Sequence, residues 1–306
     1  MSNYRAGDVL RLTRIAKKIS QEELSEGICS VQTLHRIERG KTRVKKDLYY
    51  CLMSKMERVP EKSYAVCVGK DMELLEERIF YEEAMRHYDY KEAEKYLCAI
   101  KEKADDNVIT KQYLMKAEAL MDYYNHKIDA IQMRKNLEQA IKLTLPRYEN
   151  YIQKEYPFTE QEIMNLMSIA NAYCLVKNYE KAIKIYCKLI KTLNMDYIEG
   201  LYVIHMKSII MRNLAITYAE IGDYEKSLVL NGECIEIAKK IDDGKSLSIL
   251  YADMAWSILR QIEQKERTEK DRAIAQKFLR QSYIIAAARK DKIISDISKM
   301  AYQKEF

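Results

Sequence analysis

Two stretches of this chain, IANAYCLVKNYEKAIKIYCKLI (169–190) and LAITYAEIGDYEKSLVLNGECI (214–235), align at a constant offset of 45 residues. Ala170 matches Ala215, Tyr173 matches Tyr218, Tyr179-Glu180-Lys181 matches Tyr224-Glu225-Lys226, and Ala182 matches Ser227. YEEAMRHYDYKEAEKYLCAI (81–100) is a weaker copy around Tyr90 and Ala93, and residues 117–145 and 251–288 read as further copies with longer connections. Each copy is a helix, a short Asn/Asp-Tyr or Gly-Asp-Tyr turn, and a second helix. One such pair cannot bury its apolar side alone, so copies must stack. Three Pro and 8 Gly in 306 residues leave few turn signals, and strand-type alternation is missing. The expectation is an all-α chain.

The charge is unevenly distributed. Residues 1–60 carry 13 Lys+Arg against 7 Asp+Glu, whereas the remainder carries 39 of each. A small basic module on a neutral body points to nucleic acid as the partner of that module, although charge alone fits a solvated surface equally well.

Within the module, Val9, Leu12, Ala16 and Ile19 recur at the spacing of one helix face. Ser20 caps the next helix, with Glu23 placed for a capping box, and Leu24 and Ile28 form its inner side. Gly27 permits a sharp turn, after which Ser30 caps a third helix with Leu34 and Ile37 inside. That helix turns Gln32, Thr33, His35, Arg36 and Arg39 outward. Gln bonds adenine bidentately, Arg bonds guanine bidentately, and a Thr methyl touches thymine. Lys41, Arg43, Lys45 and Lys46 follow, placed for phosphate contacts.

Residues 6–56, and especially Ile37-Glu38-Arg39-Gly40-Lys41-Thr42, resemble an XRE-type helix-turn-helix. The form Gln21…Leu24-Ser25-Glu26…Ile28-Cys29…Arg36-Ile37-Glu38…Gly40 is similar to regulators of the RRNPP peptide-pheromone family. The resemblance implies a five-helix DNA-binding module in which Val31, Gln32 and Arg36 read bases and Gln21 touches phosphate. Ser30, Thr33, His35, Lys41 and Arg43 complete the expected DNA-contacting set. Val31 stands where the class commonly has a polar residue. The resemblance further implies a buried ion pair between Arg14 and Glu38.

The 45-residue copies resemble tetratricopeptide repeats, with a period longer than the usual ~34 and hence longer helices. Such repeats build a right-handed superhelix whose concave side receives a peptide. The implied organisation is a helix-turn-helix domain (1–60), a linker (61–71, overlapping ERVPEKSYAVCVGK at 57–70) and a repeat domain for peptide binding and dimerisation (72–306). Asn171 and Asn213 match the Asn pair with which peptide-binding repeats of this type hold a ligand backbone, in slots facing each other across neighbouring repeats. Arg212 is placed for a carboxylate, and Met167 and Trp256 for apolar pockets. The segment FLRQSYIIAAARKDKIISDISKMAY (278–302) is apolar enough to need a partner surface, either a second copy or the last repeat.

Seven Cys form no Cys-x-x-Cys, fall mostly on apolar positions and are odd in number, which fits reduced core thiols of a cytoplasmic protein. The N-terminus lacks an apolar signal region and no segment reaches ~18 apolar residues, so secretion and membrane spanning are not expected. The four His are scattered singly, the 24 Tyr and 15 Met fall at helical core spacing, and no phosphate loop or nucleophile–base set appears. No metal, cofactor or enzymatic activity is expected. The resemblance implies a dimeric, cytoplasmic transcription regulator that reads a pseudo-palindromic operator in double-stranded DNA and is switched by a short signalling peptide. Two alternatives stay open: the same DNA reader with repeats serving dimerisation or protein partners, and a repeat scaffold that does not bind DNA.

Overall fold

The computed structural model describes residues 6–42, 44–56, 70–104, 108–154, 156, 158–194, 201–264 and 267–305. Every regular element among these residues is helical. The chain divides into two compact units, residues 1–178 with 194–199 and residues 179–193 with 200–306. Positions 61–69 of the expected linker lie outside the described residues, and positions 70 and 71 already belong to a helix.

The N-terminal module shows α1 (Ala6–Ala16), α2 (Gln21–Ser25), α3 (Val31–Glu38) and α4 (Lys46–Lys55), four of the five helices expected. Ser20 Oγ accepts from the Glu23 N–H at 3.0 Å and Ser30 Oγ from the Thr33 N–H at 3.1 Å, so both expected caps form. Gly27 turns the corner at φ +73°, a backbone region that side chains disfavour. Val9, Leu10, Leu24, Leu34, Ile37, Tyr49, Leu52, Met53 and Met56 make the core, with Ile19 and Ile28 packed at its edge.

The inner side of α1 keeps Val9 and Ile19 of the expected stripe and includes further residues. Leu10 and Thr13 are both completely buried, while the side chains of Leu12 and Ala16 lie outside the described set. The cause is the crossing with α3. A Cβ at Gly7 would stand 2.0 Å from the Ile37 carbonyl oxygen, so the backbones meet there and the buried side follows Gly7, Leu10 and Thr13.

The rest of the first unit comprises α5 (Lys70–Arg86), α6 (Tyr90–Lys103), α7 (Val108–Tyr124), α8 (Ala130–Lys142), the short α9 (Tyr148–Ile152) and α10 (Glu160–Leu175). The second comprises α11 (Tyr179–Leu193), α12 (Leu201–Glu220), α13 (Tyr224–Lys240), α14 (Gly244–Glu263), α15 (Arg272–Ala288) and α16 (Lys292–Glu305). The copies read at 81–100, 117–145 and 251–288 each correspond to a helix pair. Ala170, Ala182 and Ala215 are wholly buried and Ser227 is 1% exposed, as expected of small residues where helices cross closely.

With so few glycines, most of these turns use other residues at positive φ. Tyr88 (φ 60°), Lys177 (59°), Gly222 (85°) and Asp242 (54°) each take the left-handed conformation at a helix end. The amide of the next residue then bonds back to the ending helix: Asp89 to Ala84, Asn178 to Tyr173, Asp223 to Tyr218 and Asp243 to Ala238. Asp89, Asp223 and Asp243 also cap the helix that follows, accepting from the N–H groups of Glu92, Lys226 and Ser246. One residue thus closes one helix and opens the next, which offsets the strain before it.

Two features depart from the sequence reading. The residues around α9 bury Tyr148, Tyr156 and Phe158 where no element was expected, and Thr159 with Glu162 forms a full capping box at the start of α10. The cysteines are less buried than their pattern suggests. Cys234 is in the core, with burial pushing its thiol up to about 11, but Cys51, Cys98 and Cys187 are exposed at the flanks of their helices. No disulfide joins any cysteines among the described residues. No described helix is long and apolar enough to cross a membrane.

Candidate nucleic-acid interface

The outward side of α3 is set by what its inward side must do. Leu34 and Ile37 enter the module core, and Glu38 is 3% exposed despite its charge. Arg14 accounts for that burial. Its Nε donates to Glu38 Oε1 at 2.7 Å and its Nη2 to Oε2 at 2.9 Å, while Nη1 donates to the Ile19 carbonyl at 2.9 Å. The ion pair implied by the resemblance is present, in the bidentate geometry that carboxylate and guanidinium favour.

With Leu34, Ile37 and Glu38 fixed inside, helical periodicity leaves Gln32, His35, Arg36 and Arg39 exposed. Val31 is also exposed at 36%, and Thr33 is half-buried. The hydroxyls of Ser30 and Thr33 stand 2.8 Å apart, and Ser30 also caps α3, so both are engaged locally. Gly40 (φ 68°) ends the helix. Its amide bonds the Ile37 carbonyl and the Lys41 amide bonds the Arg36 carbonyl, which directs the chain away and leaves the Lys41 side chain exposed. Lys55 Nζ donates to the Glu26 carbonyl at 2.7 Å, tying α4 to the corner after α2.

The arrangement offers hydrogen-bonding side chains on one helix, caught between two caps and braced from behind. Ser30, Val31, Gln32, Thr33, His35 and Arg36 all lie on α3 or its cap. Gln21 does something more. Its amide donates to Glu38 Oε2 at 2.5 Å, joining α2 to the ion pair. Arg43 and the Lys46 side chain lie outside the described residues, and Lys45 is exposed.

The candidate peptide residues fall in both units. Met167 and Asn171 are half-buried on α10 of the first unit. In the second, Arg212 and Asn213 are half-buried on α12, and Trp256 is 37% exposed on α14. Arg212 already holds a carboxylate: Nε donates to Asp253 Oδ2 at 2.7 Å and Nη2 to Oδ1 at 3.4 Å. Burial pushes the Asp253 carboxyl above its ordinary value, against the pull of Arg212. Asp253 was missed in the sequence, although it precedes Trp256 by three positions on the same helix. A second carboxylate, Glu138 of the first unit, accepts from Arg134 at 2.7 Å and from the Tyr173 and Tyr148 hydroxyls at 2.8 and 3.3 Å, locking α8, α9 and α10 together.

Residues 10–49 match the helix-turn-helix family model, which spans the caps, the corner and α3. No curated protein sequence matches the chain. Among solved structures, PlcR of Bacillus thuringiensis in complex with the peptide PapR7 and DNA is similar over 96% of this chain and 99% of its own, with a TM-score of 0.63 and 17% identity. Its apo form gives 0.59 and 18% over 94% of this chain and 97% of its own. ComR of S. thermophilus, in complex with DNA and its signalling peptide ComS, gives 0.55 and 12% over 98% and 99%. Residues 10–49 therefore carry a helix-turn-helix, and the chain has, over nearly its whole length, the all-helical fold of PlcR and ComR.

Proposed function

We propose that the chain is a transcription regulator that reads double-stranded DNA through α3 and is controlled by a short signalling peptide held by its repeat helices. The observation that carries this reading is the braced recognition helix, with Gln32, His35, Arg36 and Arg39 outward over the buried Arg14–Glu38 pair. A helix-turn-helix places such a helix in the major groove and presents it twice, in a dimer, to half-sites about one turn apart. Two solved proteins of the same fold were crystallised with both DNA and a peptide.

In this reading residues 1–60 form the DNA module, 61–71 the linker and 72–306 the peptide and dimer domain of a cytoplasmic protein without enzymatic activity. Ser30, Val31, Gln32, Thr33, His35 and Arg36 face the bases or the groove edge. Gln21, Lys41 and Arg43 meet phosphate, Gln21 by releasing one bond to Glu38. The candidate peptide contacts of the first unit are Met167 and Asn171, and those of the second unit are Arg212, Asn213 and Trp256. A second copy is met at α15 and α16, whose Ile284, Ile293, Ile297 and Met300 are exposed. The peptide acts by favouring one of two shapes of the repeat domain.

Selection from a random duplex library with the full chain, with and without a pooled library of short random peptides, tests the reading. A two-fold-related motif whose enrichment changes with peptide is expected. Enrichment of no motif in either arm would leave the repeat scaffold as the better reading.

A further inference from the structure

The recognition helix opens on an apolar side chain. Val31, at the first position of α3, is 36% exposed, whereas the apolar residues of the two following turns, Leu34 and Ile37, are 0% and 1% exposed. Its neighbour Gln32 and the residue one turn further, Arg36, are exposed as well. The flanking polar groups do not compete for that place, since the Ser30 hydroxyl accepts from the Thr33 N–H and stands 2.8 Å from the Thr33 hydroxyl. The N-terminal end of this helix therefore presents two methyl groups beside an amide.

A base edge that rewards such a surface must itself be apolar. In the major groove only thymine offers that, through its 5-methyl group, while the other base edges present donors and acceptors. The first residues of a recognition helix are the ones that reach base edges. We infer that Val31 selects a thymine by burying its 5-methyl group, beside the base that Gln32 bonds. This deepens the DNA-reading proposal, on which it rests, by assigning one letter of the half-site to a residue where the class commonly uses a polar one.

The test uses the full chain and the duplex enriched from the random library, with each thymine replaced in turn by deoxyuridine, which removes only the methyl group. One position per half-site is expected to lose about fourfold in affinity, the equivalent of one buried methyl group at ~0.8 kcal/mol. Val31→Ala, a change at an exposed site, should bind thymine and uracil duplexes equally there, and Gln32→Ala should keep the uracil penalty. If no duplex is enriched at all, DNA reading itself fails. If a duplex is enriched but every uracil replacement is neutral, or Val31→Ala shows the same penalty as the parent, this inference alone is overturned.

Discussion

Arg14 on α1 and Glu38 at the end of α3 are joined by two hydrogen bonds of 2.7 and 2.9 Å, with side chains only 13% and 2% exposed. Gln21 and the Ile19 carbonyl occupy the remaining partners, so the pair links α1, the start of α2 and α3. It is a brace at the back of the recognition helix. Its charged groups were removed from water, and the charge of each is compensated chiefly by the other.

Removing one partner should therefore cost more than the pair contributes. Arg14→Ala or Glu38→Ala should destabilise the module by about 3–5 kcal/mol, because an uncompensated buried charge remains. Native-state hydrogen exchange of the α1–α4 amides measures this without requiring the whole chain to unfold in one step. The double variant should cost less than the sum of the singles, and additive losses would show the brace to be energetically idle.

Gly7 and Gly27 separate two reasons for a glycine. At Gly7 a side chain meets the Ile37 carbonyl oxygen, whereas at Gly27 a Cβ meets nothing within 4 Å and only the positive φ is at stake. Gly27→Ala should cost about 1–2 kcal/mol, the left-handed penalty. Gly7→Ala should cost more, since α1 must withdraw from α3. The same exchange measurement ranks the two, and the opposite order would contradict the crossing.

Direct base reading and phosphate contact predict different losses on α3 and beyond it. Arg36→Ala should lose about 1–3 kcal/mol at one base position and relax specificity there. Lys41→Ala should weaken binding to every sequence and lower the slope of affinity against salt by about one. Binding titrations at several salt concentrations, on the enriched duplex and its point variants, distinguish them.

What the sequence revealed followed from local rules. The corner at Gly27, the Ser20 and Ser30 caps and the inward Leu34 and Ile37 are each determined within a few residues, and the structure keeps all of them. The 45-residue offset likewise located the buried Ala170, Ala182, Ala215 and Ser227. Gly7 was not legible, because a glycine inside a helix signals only poor propensity until a second backbone is known to cross there. Asp253 was missed for a similar reason. Its partner is 41 positions away, and Arg212 alone suggested an external carboxylate rather than an internal one. The Asp89-Tyr90 and Asn178-Tyr179 turns were read, but not the left-handed residues Tyr88, Lys177 and Asp242, because glycine was the expected signal for that conformation.

The Arg212–Asp253 pair predicts a pH dependence within the second unit. Burial raises the Asp253 carboxyl above its ordinary 3.8, so the folded protein holds that proton more tightly than the unfolded chain. This group therefore favours folding at low pH and loses that contribution as pH rises through its raised value. Arg212 opposes the loss only once Asp253 is ionised. Arg212→Ala should thus cost little where the carboxyl is protonated and about 1.5–3 kcal/mol at neutral pH. Hydrogen exchange of the α12 and α14 amides across that range checks it, and a pH-independent loss would mean that Arg212 stabilises by packing alone.

Trp256 is the one tryptophan of the chain and is 37% exposed, on the same helix as Asp253. An indole in water emits at longer wavelength than one covered by an apolar ligand, so intrinsic fluorescence reads this position without a label. A peptide from the pooled library that binds should shift the emission to shorter wavelength. Trp256→Ala should weaken that peptide by about 2 kcal/mol, as for an aromatic anchor in a binding patch, with little change in thermal stability because the ring is partly exposed. In the proposed function, Asn171→Ala and Asn213→Ala should each cost about 1–3 kcal/mol of peptide affinity by removing an amide proposed to serve a ligand backbone as both donor and acceptor. Calorimetry on the three variants separates the contributions. A peptide that binds by calorimetry while leaving the emission unchanged, and that binds all three variants as tightly as the parent, would move the peptide contacts away from these residues.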